Sequence, residues 1–215
     1  MSRRYDCAVP AERVQGLREA TQAVRRGELV VLPTDTLYGV GADAFTPQAV
    51  DGLLIAKGRG RDMPVPVLVG SLHMLDGVVD ALPPAGRQLV EAFWPGGLTL
   101  VARHTAGLAW DLGETRGTVA VRMPLHPVAL ELLAETGPLA VSSANLTGAA
   151  PARDADEAQA QLGDSVAVYL DAGPCGSGPA STIVDVTVDV PRVLRAGAIP
   201  VDRLRKVLPD LVGPA

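Results

Sequence analysis

Apolar positions recur along this chain at two spacings, one helical and one alternating or continuous, and the two kinds of segment follow each other in turn. Residues 11–26, AERVQGLREATQAVRR, carry Val14, Leu17, Thr21 and Val24 at helical intervals and stop before Gly27, which predicts a helix packed by one face. LVVLP (29–33) is a short run rich in β-branched residues and predicts a strand, followed by TDTLYGVG (34–41), whose Thr, Asp and Gly predict a loop. Thr46 and Pro47 form an N-cap and first-turn pair for a helix whose stripe of Val50, Leu53 and Leu54 ends near Lys57. VPVLVG (65–70) predicts a strand, with Pro64 and Pro66 tolerated at its start, and helices are expected at 71–80 and 84–93. GLTLVAR (97–103) and TVAVRMP (118–124) predict strands, HPVALELLAETG (126–137) an amphipathic helix closed by Gly137, and PLAVSSAN a further strand. A short helix near 154–162, strands at VAVYLD, STIVDVTV and RVLRA, and a helix from Pro200 to about Leu211 complete the pattern. Helices and strands alternate without a fixed repeat and no linker interrupts them. The expectation is an α/β protein, a single domain over 1–215 with one twisted mixed sheet flanked by helices.

Composition narrows the chemistry. A chain of 215 residues with 47% hydrophobic content can bury a sizeable core. A net charge of −5 and an aromatic content of 3% argue against a salt-driven nucleic-acid face or a stacking platform for bases. No apolar stretch follows the charged N-terminus and no segment runs eighteen apolar residues, so a soluble, cytoplasmic protein without membrane contact is expected. Cys7 and Cys175 stand alone and read as free thiols rather than as a zinc site or disulfide framework. The chain has no GxxxxGK[ST], GxGxxG, HExxH or GxSxG, and His73, His104 and His126 are scattered over separate elements.

Polar residues gather instead where strands end and loops begin, the places where open α/β sheets bind ligands. Thr34, Asp35 and Thr36 follow the first strand; Lys57, Arg59 and Arg61 lie in KGRGR; Arg122 interrupts an apolar strand; Ser142, Ser143 and Asn145 follow PLAV; Ser181, Thr182 and Arg195 come last. Guanidinium forks, a mobile ammonium and neutral hydroxyl donors suit phosphates and carboxylates. Each also has an ordinary reading: three cations in one loop make a solvated turn, and Ser or Thr at strand ends caps turns. Arg122 is the exception, because a charge pointing inward from VAVRM needs a partner or a ligand, unless that strand is an edge facing water.

PTDTLYGVGADAF, the KxR of KGRGR, WPGGLTLV, TVAVRMP, SSANLTG, STIVD and VLRAGAI, in this order, resemble the YrdC-like threonylcarbamoyl-AMP synthase family from about residue 12 to residue 211. The resemblance implies a sheet curved around a concave cationic cavity. It also implies condensation of L-threonine, bicarbonate and ATP to threonylcarbamoyl-AMP and pyrophosphate, for the t6A modification of tRNA. Carried over by position, Lys57, Arg59, Ser143 and Asn145 are the implied catalytic set. Thr36, Arg122 and Ser181 would contact threonine; Arg59, Thr118, Ser143 and Arg195 would contact ATP, with the backbone near Val141 helping. The implied cofactor is Mg2+ carried with ATP, with no protein metal site, and the apolar walls would be Leu37, Val40 and Leu146. Implied partners are the downstream threonylcarbamoyl transferase and a weak tRNA contact. The chain departs from the family pattern at Gly60, Met63, Leu68 and Pro151, and resembles the single-domain form without an extra C-terminal domain. Two other readings stay open: an RNA-binding relative using the same cations, and a carbamoyl-transfer domain of the hydrogenase-maturation type, which ordinarily comes with further domains.

Overall fold

The computed structural model describes residues 2–176 and 178–214. In chain order the elements are β1 (Arg3–Asp6), α1 (Pro10–Arg25), β2 (Val30–Leu32), β3 (Gly39–Asp43), α2 (Pro47–Lys57), β4 (Val67–Leu68), α3 (Leu72–Val78) and α4 (Pro84–Phe93). There follow β5 (Leu98–Arg103), β6 (Thr118–Arg122), α5 (Pro127–Thr136), β7 (Leu139–Ser143), α6 (Ala155–Leu162), β8 (Val168–Asp171), β9 (Thr182–Asp185), β10 (Arg192–Arg195) and α7 (Val201–Val207). The strands form one sheet in the order β1-β8-β2-β3-β7-β4-β6-β5-β9-β10. It is mixed, as expected: β1, β8 and β2 are parallel, β3 and β7 antiparallel, β4 parallel to β6, and β10 antiparallel to β9.

Side chains alternate between the two faces of a strand, and here the faces are covered unequally. One face carries the larger core, in which Val40, Leu53, Val67, Leu89, Leu100, Val121 and Val184 are buried. The other carries a smaller core under α1 and α5, drawn from β1, β8, β2 and β7 and ending at Leu68 of β4. None of its members comes from β5, β6, β9 or β10. On that half of the sheet Val101, Ala120 and Ile183, alternating with buried Leu100, Val121 and Val184, stay partly open to solvent. Helices therefore roof one face over half of the sheet and leave that same face uncovered over the other half.

Several expectations need correction. GVG in TDTLYGVG is not loop but the start of β3, because Val141 on β7 lies over both glycines and supplies the side-chain volume they lack: a Cβ on Gly39 would sit 2.6 Å from Val141 Cγ1. Val14 is not part of the packed face of α1. It is 71% exposed, and the helix instead buries Gly16, Ala20, Thr21, Ala23 and Val24, since Gly16 lets Tyr5 approach to where a Cβ would be. Thr46 sits at the N-cap of α2 without capping it, its hydroxyl donating to Asp43 Oδ2 at 2.8 Å. β1 was not anticipated, β4 and β9 are shorter than VPVLVG and STIVDVTV suggested, and α7 ends at Val207 rather than near Leu211. Cys7 and Cys175 are free thiols. No helix among the described residues is long and apolar enough to cross a membrane.

The fit of Val141 over Gly39 gives a stability test. Gly39→Ala overpacks this point and is expected to destabilise the protein by about 2 kcal/mol, read from urea unfolding. Val141→Ala in the same chain should recover most of the loss; an unchanged midpoint in the Gly39→Ala variant would contradict the packing described.

Candidate active site

Two polar clusters lie at the ends of central strands, one at β7 and one at β6. The first is built where α2 ends. Gly58 adopts the left-handed conformation (φ 61°) and turns the chain out of the helix. Lys57 is 3% exposed, and its ammonium donates to Ser143 O at 2.6 Å, Asn145 O at 2.6 Å and Asn145 Oδ1 at 3.3 Å. All three of its hydrogens therefore have acceptors, so it clamps the end of β7 to α2. The Asn145 amide donates onward to Leu146 O (2.9 Å) and Ala149 O (2.8 Å), fixing the loop after β7. Arg59 donates from Nη1 to Ser142 Oγ at 3.2 Å, while its buried Nε has no partner. An unsatisfied buried donor on a cation is costly unless a ligand completes it.

The second cluster surrounds Arg122, 7% exposed at the end of β6. Its Nε donates to Gly96 O (2.8 Å), Nη1 to Thr36 Oγ1 (2.8 Å) and Nη2 to Asp35 Oδ1 (2.6 Å). The inward charge thus has its counter-ion. The loop between β2 and β3 carries Asp35 and Thr36 across the sheet to reach it, held in shape by Thr34, whose hydroxyl donates to Leu37 O (2.6 Å) and accepts from Leu37 N (3.2 Å). Arg195 donates to Ser181 O (2.8 Å) and Ser181 Oγ (3.1 Å), and Ser181 Oγ meets Thr99 Oγ1 at 2.8 Å.

Register relates the two. Val121 pairs with Val67, and Val67 with Ala140, so Leu139 stands level with Arg122, and Thr118 with Ser143 two strands away, about 10 Å at the usual strand spacing. The clusters are therefore offset by the four residues from Thr118 to Arg122, roughly 13 Å. Thr118 and Ser143 stand level at one end, while Arg59 bonds Ser142, whose side chain points to the opposite face of β7 from Ser143; Thr36 and Arg122 lie at the other end with Ser181. Arg195 belongs with the second group, beside Ser181 and Arg122, and not with Arg59. Val141 stands apart: its side chain is in the smaller core and its N–H is taken by Pro66 O at 2.8 Å.

Of the expected apolar walls, Val40 is wholly buried in the larger core and Leu146 is 45% exposed; only Leu37 is half-buried. Leu68, one of the departures, packs into the smaller core beside Arg122 and brings no polar group there. Arg61 lies outside both clusters, bridging Asp51 (2.7 Å) and Asp111 on the surface. The two hollows with measured volume are elsewhere: about 660 Å³ lined by Arg3, Glu19, Arg26 and Asp164 among others, and about 430 Å³ beside Pro191 and Leu208. Asp35 and Ser142 are functional candidates that the motif reading named without assigning; the need of Arg122 for a counter-charge was the signal for Asp35.

Crowded cations in low dielectric lose affinity for their protons. Burial and then Arg59 push Lys57 down to about 8, burial lowers Arg59, and burial followed by the field of Arg122 lowers Arg195. Arg122 is lowered by burial, with Asp35 pulling the other way. Such sites favour anions that restore the charge balance.

A sequence model of the Sua5/YciO/YrdC family, described as telomere recombination, matches residues 22–197. The chain belongs to that family. It is 57% identical over 208 residues to a Mycobacterium tuberculosis protein provisionally named threonylcarbamoyl-AMP synthase, covering 97% of this chain and 96% of that one. A threonylcarbamoyl-AMP synthase of Bacillus subtilis is 36% identical over 89% of this chain, which spans 56% of that relative. The crystal structure of Pyrococcus abyssi Sua5 complexed with L-threonine superposes with a TM-score of 0.88 at 33% identity, covering 92% of this chain and 58% of the other. The twisted mixed sheet flanked by helices is thus the family's fold.

The position of Lys57 makes a prediction whose sign follows from linkage. Its folded pKa, near 8, lies below the ordinary lysine value of 10.5, so between those limits the unfolded chain binds more protons. Stability of the wild type relative to Lys57→Met should rise as pH goes from about 8 towards 10.5, measured by urea unfolding at several pH values. A difference flat with pH would contradict the assigned environment.

Proposed function

We propose that the uncovered half of the sheet face is the active centre of a threonylcarbamoyl-AMP synthase, with the nucleotide at the Arg59–Ser143–Thr118 end and L-threonine at the Arg122–Thr36–Ser181 end. The observation that carries the reading is the single ammonium of Lys57 joining the KxR segment to the SxN segment across 86 and 88 residues of chain. It brings the two most chemically distinctive motifs to one edge of the sheet, beside a half that no helix covers.

The chemistry fits these parts. The threonine amine and bicarbonate give a carbamate and water; a carbamate oxygen attacks the α-phosphorus of ATP, and pyrophosphate leaves as the mixed anhydride forms. Negative charge builds on phosphoryl oxygens, so preorganised cations do most of what catalysis requires, and no covalent nucleophile is needed. Arg59, with an unfilled donor, meets the phosphates; Ser143 adds a hydroxyl; Thr118 faces the nucleotide from the neighbouring strand. Lys57 acts as a positioning residue that contributes its charge from behind the SxN loop, and Asn145 holds that loop. Arg195 neutralises charge near the junction of the two substrates. Mg2+ would arrive on the triphosphate oxygens: among the described residues no group of three His, Cys, Asp or Glu gathers to hold a metal. The reactive product passes to a threonylcarbamoyl transferase acting on tRNA, with at most weak tRNA contact here, in the cytoplasm.

Purified protein supplied with ATP, L-threonine and bicarbonate should release pyrophosphate only when all three are present. Arg59→Ala should lower kcat/KM on the order of a hundredfold, the usual cost of one preorganised donor, with its melting temperature little changed. Pyrophosphate release that ignores the omission of threonine would overturn the assignment.

A further inference from the structure

The ion pair at the amino-acid end is only half used. Asp35 Oδ1 accepts from Arg122 Nη2 at 2.6 Å and from the backbone N–H of Leu125 at 2.8 Å. Its second oxygen, Oδ2, receives no hydrogen bond among the described residues, and the side chain is 18% exposed. Oδ2 lies near Gly97, against which Ala198 packs closely. A Cβ built there would lie 3.8 Å from Asp35 Oδ2, 3.6 Å from Thr36 Cγ2 and 2.7 Å from Ala198 Cβ. The guanidinium of Arg122 is spent on three of its five N–H groups, leaving one on each terminal nitrogen. One oxygen of Asp35 and two N–H groups of Arg122 thus have no partner among the described residues.

We propose that Asp35 Oδ2 receives the ammonium group of the amino acid whose carboxylate Arg122 holds, so that the site recognises a zwitterion by two adjacent opposite charges. The proposal rests on the reading of this end as the threonine site. Its physical ground is electrostatic. Arg122 is close enough to Arg195 to lower its affinity for protons, and a third cation placed beside them without a counter-charge would be repelled. Thr36, Ser181 and Thr99 offer neutral oxygens, two of them already hydrogen-bonded to each other at 2.8 Å. Asp35 is the carboxylate paired with Arg122 among the described residues, and its second oxygen accepts no hydrogen bond there. Hydrogen bonds to charged groups are the strong ones, so the ammonium should be worth at least a tenfold preference.

Calorimetry on the purified chain without ATP tests this, with L-threonine against 2,3-dihydroxybutanoate of matching stereochemistry, in which a hydroxyl replaces the amine. The wild type should prefer threonine by about tenfold or more, and Asp35→Asn should bring the ratio close to one. Asp35→Glu, which keeps the charge on a longer arm, should retain the preference for threonine while binding both ligands more weakly. If Asp35→Asn weakens both equally and leaves their ratio unchanged, Asp35 merely positions Arg122 and the proposal fails, while the threonine site stands. Equal binding of the two ligands by the wild type also overturns it. A wild type that binds neither ligand removes the threonine site itself.

Discussion

A guanidinium taken almost completely out of water must be surrounded by acceptors, and this requirement at Arg122 organises the amino-acid half of the molecule. The three groups that answer it come from two places in the chain: Gly96 before β5, and Thr36 and Asp35 on the loop between β2 and β3. That loop has to cross two strands to meet the cation. Breaking one member of such a buried network strands the charge, which typically costs several kcal/mol, so the loop, the start of β5 and the end of β6 are held as one unit. Leu125 is drawn in as well, through its N–H to Asp35, which sets the chain direction into α5.

The same logic at the other end uses an ammonium. Lys57 has no carboxylate partner; it is satisfied by oxygens of Ser143 and Asn145 alone, and Thr147 returns a backbone hydrogen bond to Lys57 O at 2.9 Å. Desolvation and Arg59 disfavour its charge, whereas three acceptors with no donor among them require it. A cation in that balance responds strongly to nearby phosphate. The net charge of −5 does not conflict with this, because a local field is set by the few cations near it, here Lys57 and Arg59, and not by the sum over the chain.

The half-roofed sheet explains why polar groups can occupy strand interiors at all. Where α1 and α5 cover the sheet, the buried strand positions facing them are Tyr5 and a set of Val, Leu and Gly; beyond Leu68 the same face carries Arg122, Thr99 and Ser181. These side chains are buried and bond one another and their loop, Ser181 to Thr99 and Arg122 to Thr36, while their strand neighbours Val101, Ala120 and Ile183 stay partly open.

What the sequence determined by itself was local or compositional: strand runs such as LVVLP and TVAVRMP, the helix stripe ending at Lys57, and the conflict posed by an Arg within an apolar strand. The motifs carried the family, and they named the residues that the structure gathers in its two polar clusters, KxR with SxN and Arg195 with Ser181 of STIVD. Tertiary structure alone decided the rest, because it depends on what lies opposite. Gly39 and Gly41 form a strand because Val141 fills their place, Val14 is exposed because Gly16 is the point of contact, and Arg61 finds Asp51 and Asp111 rather than either cluster. That Lys57 faces backbone oxygens, that Arg195 joins Arg122, and that Asp35 keeps one oxygen free are facts of register and distance between strands far apart in the chain, which no local pattern encodes.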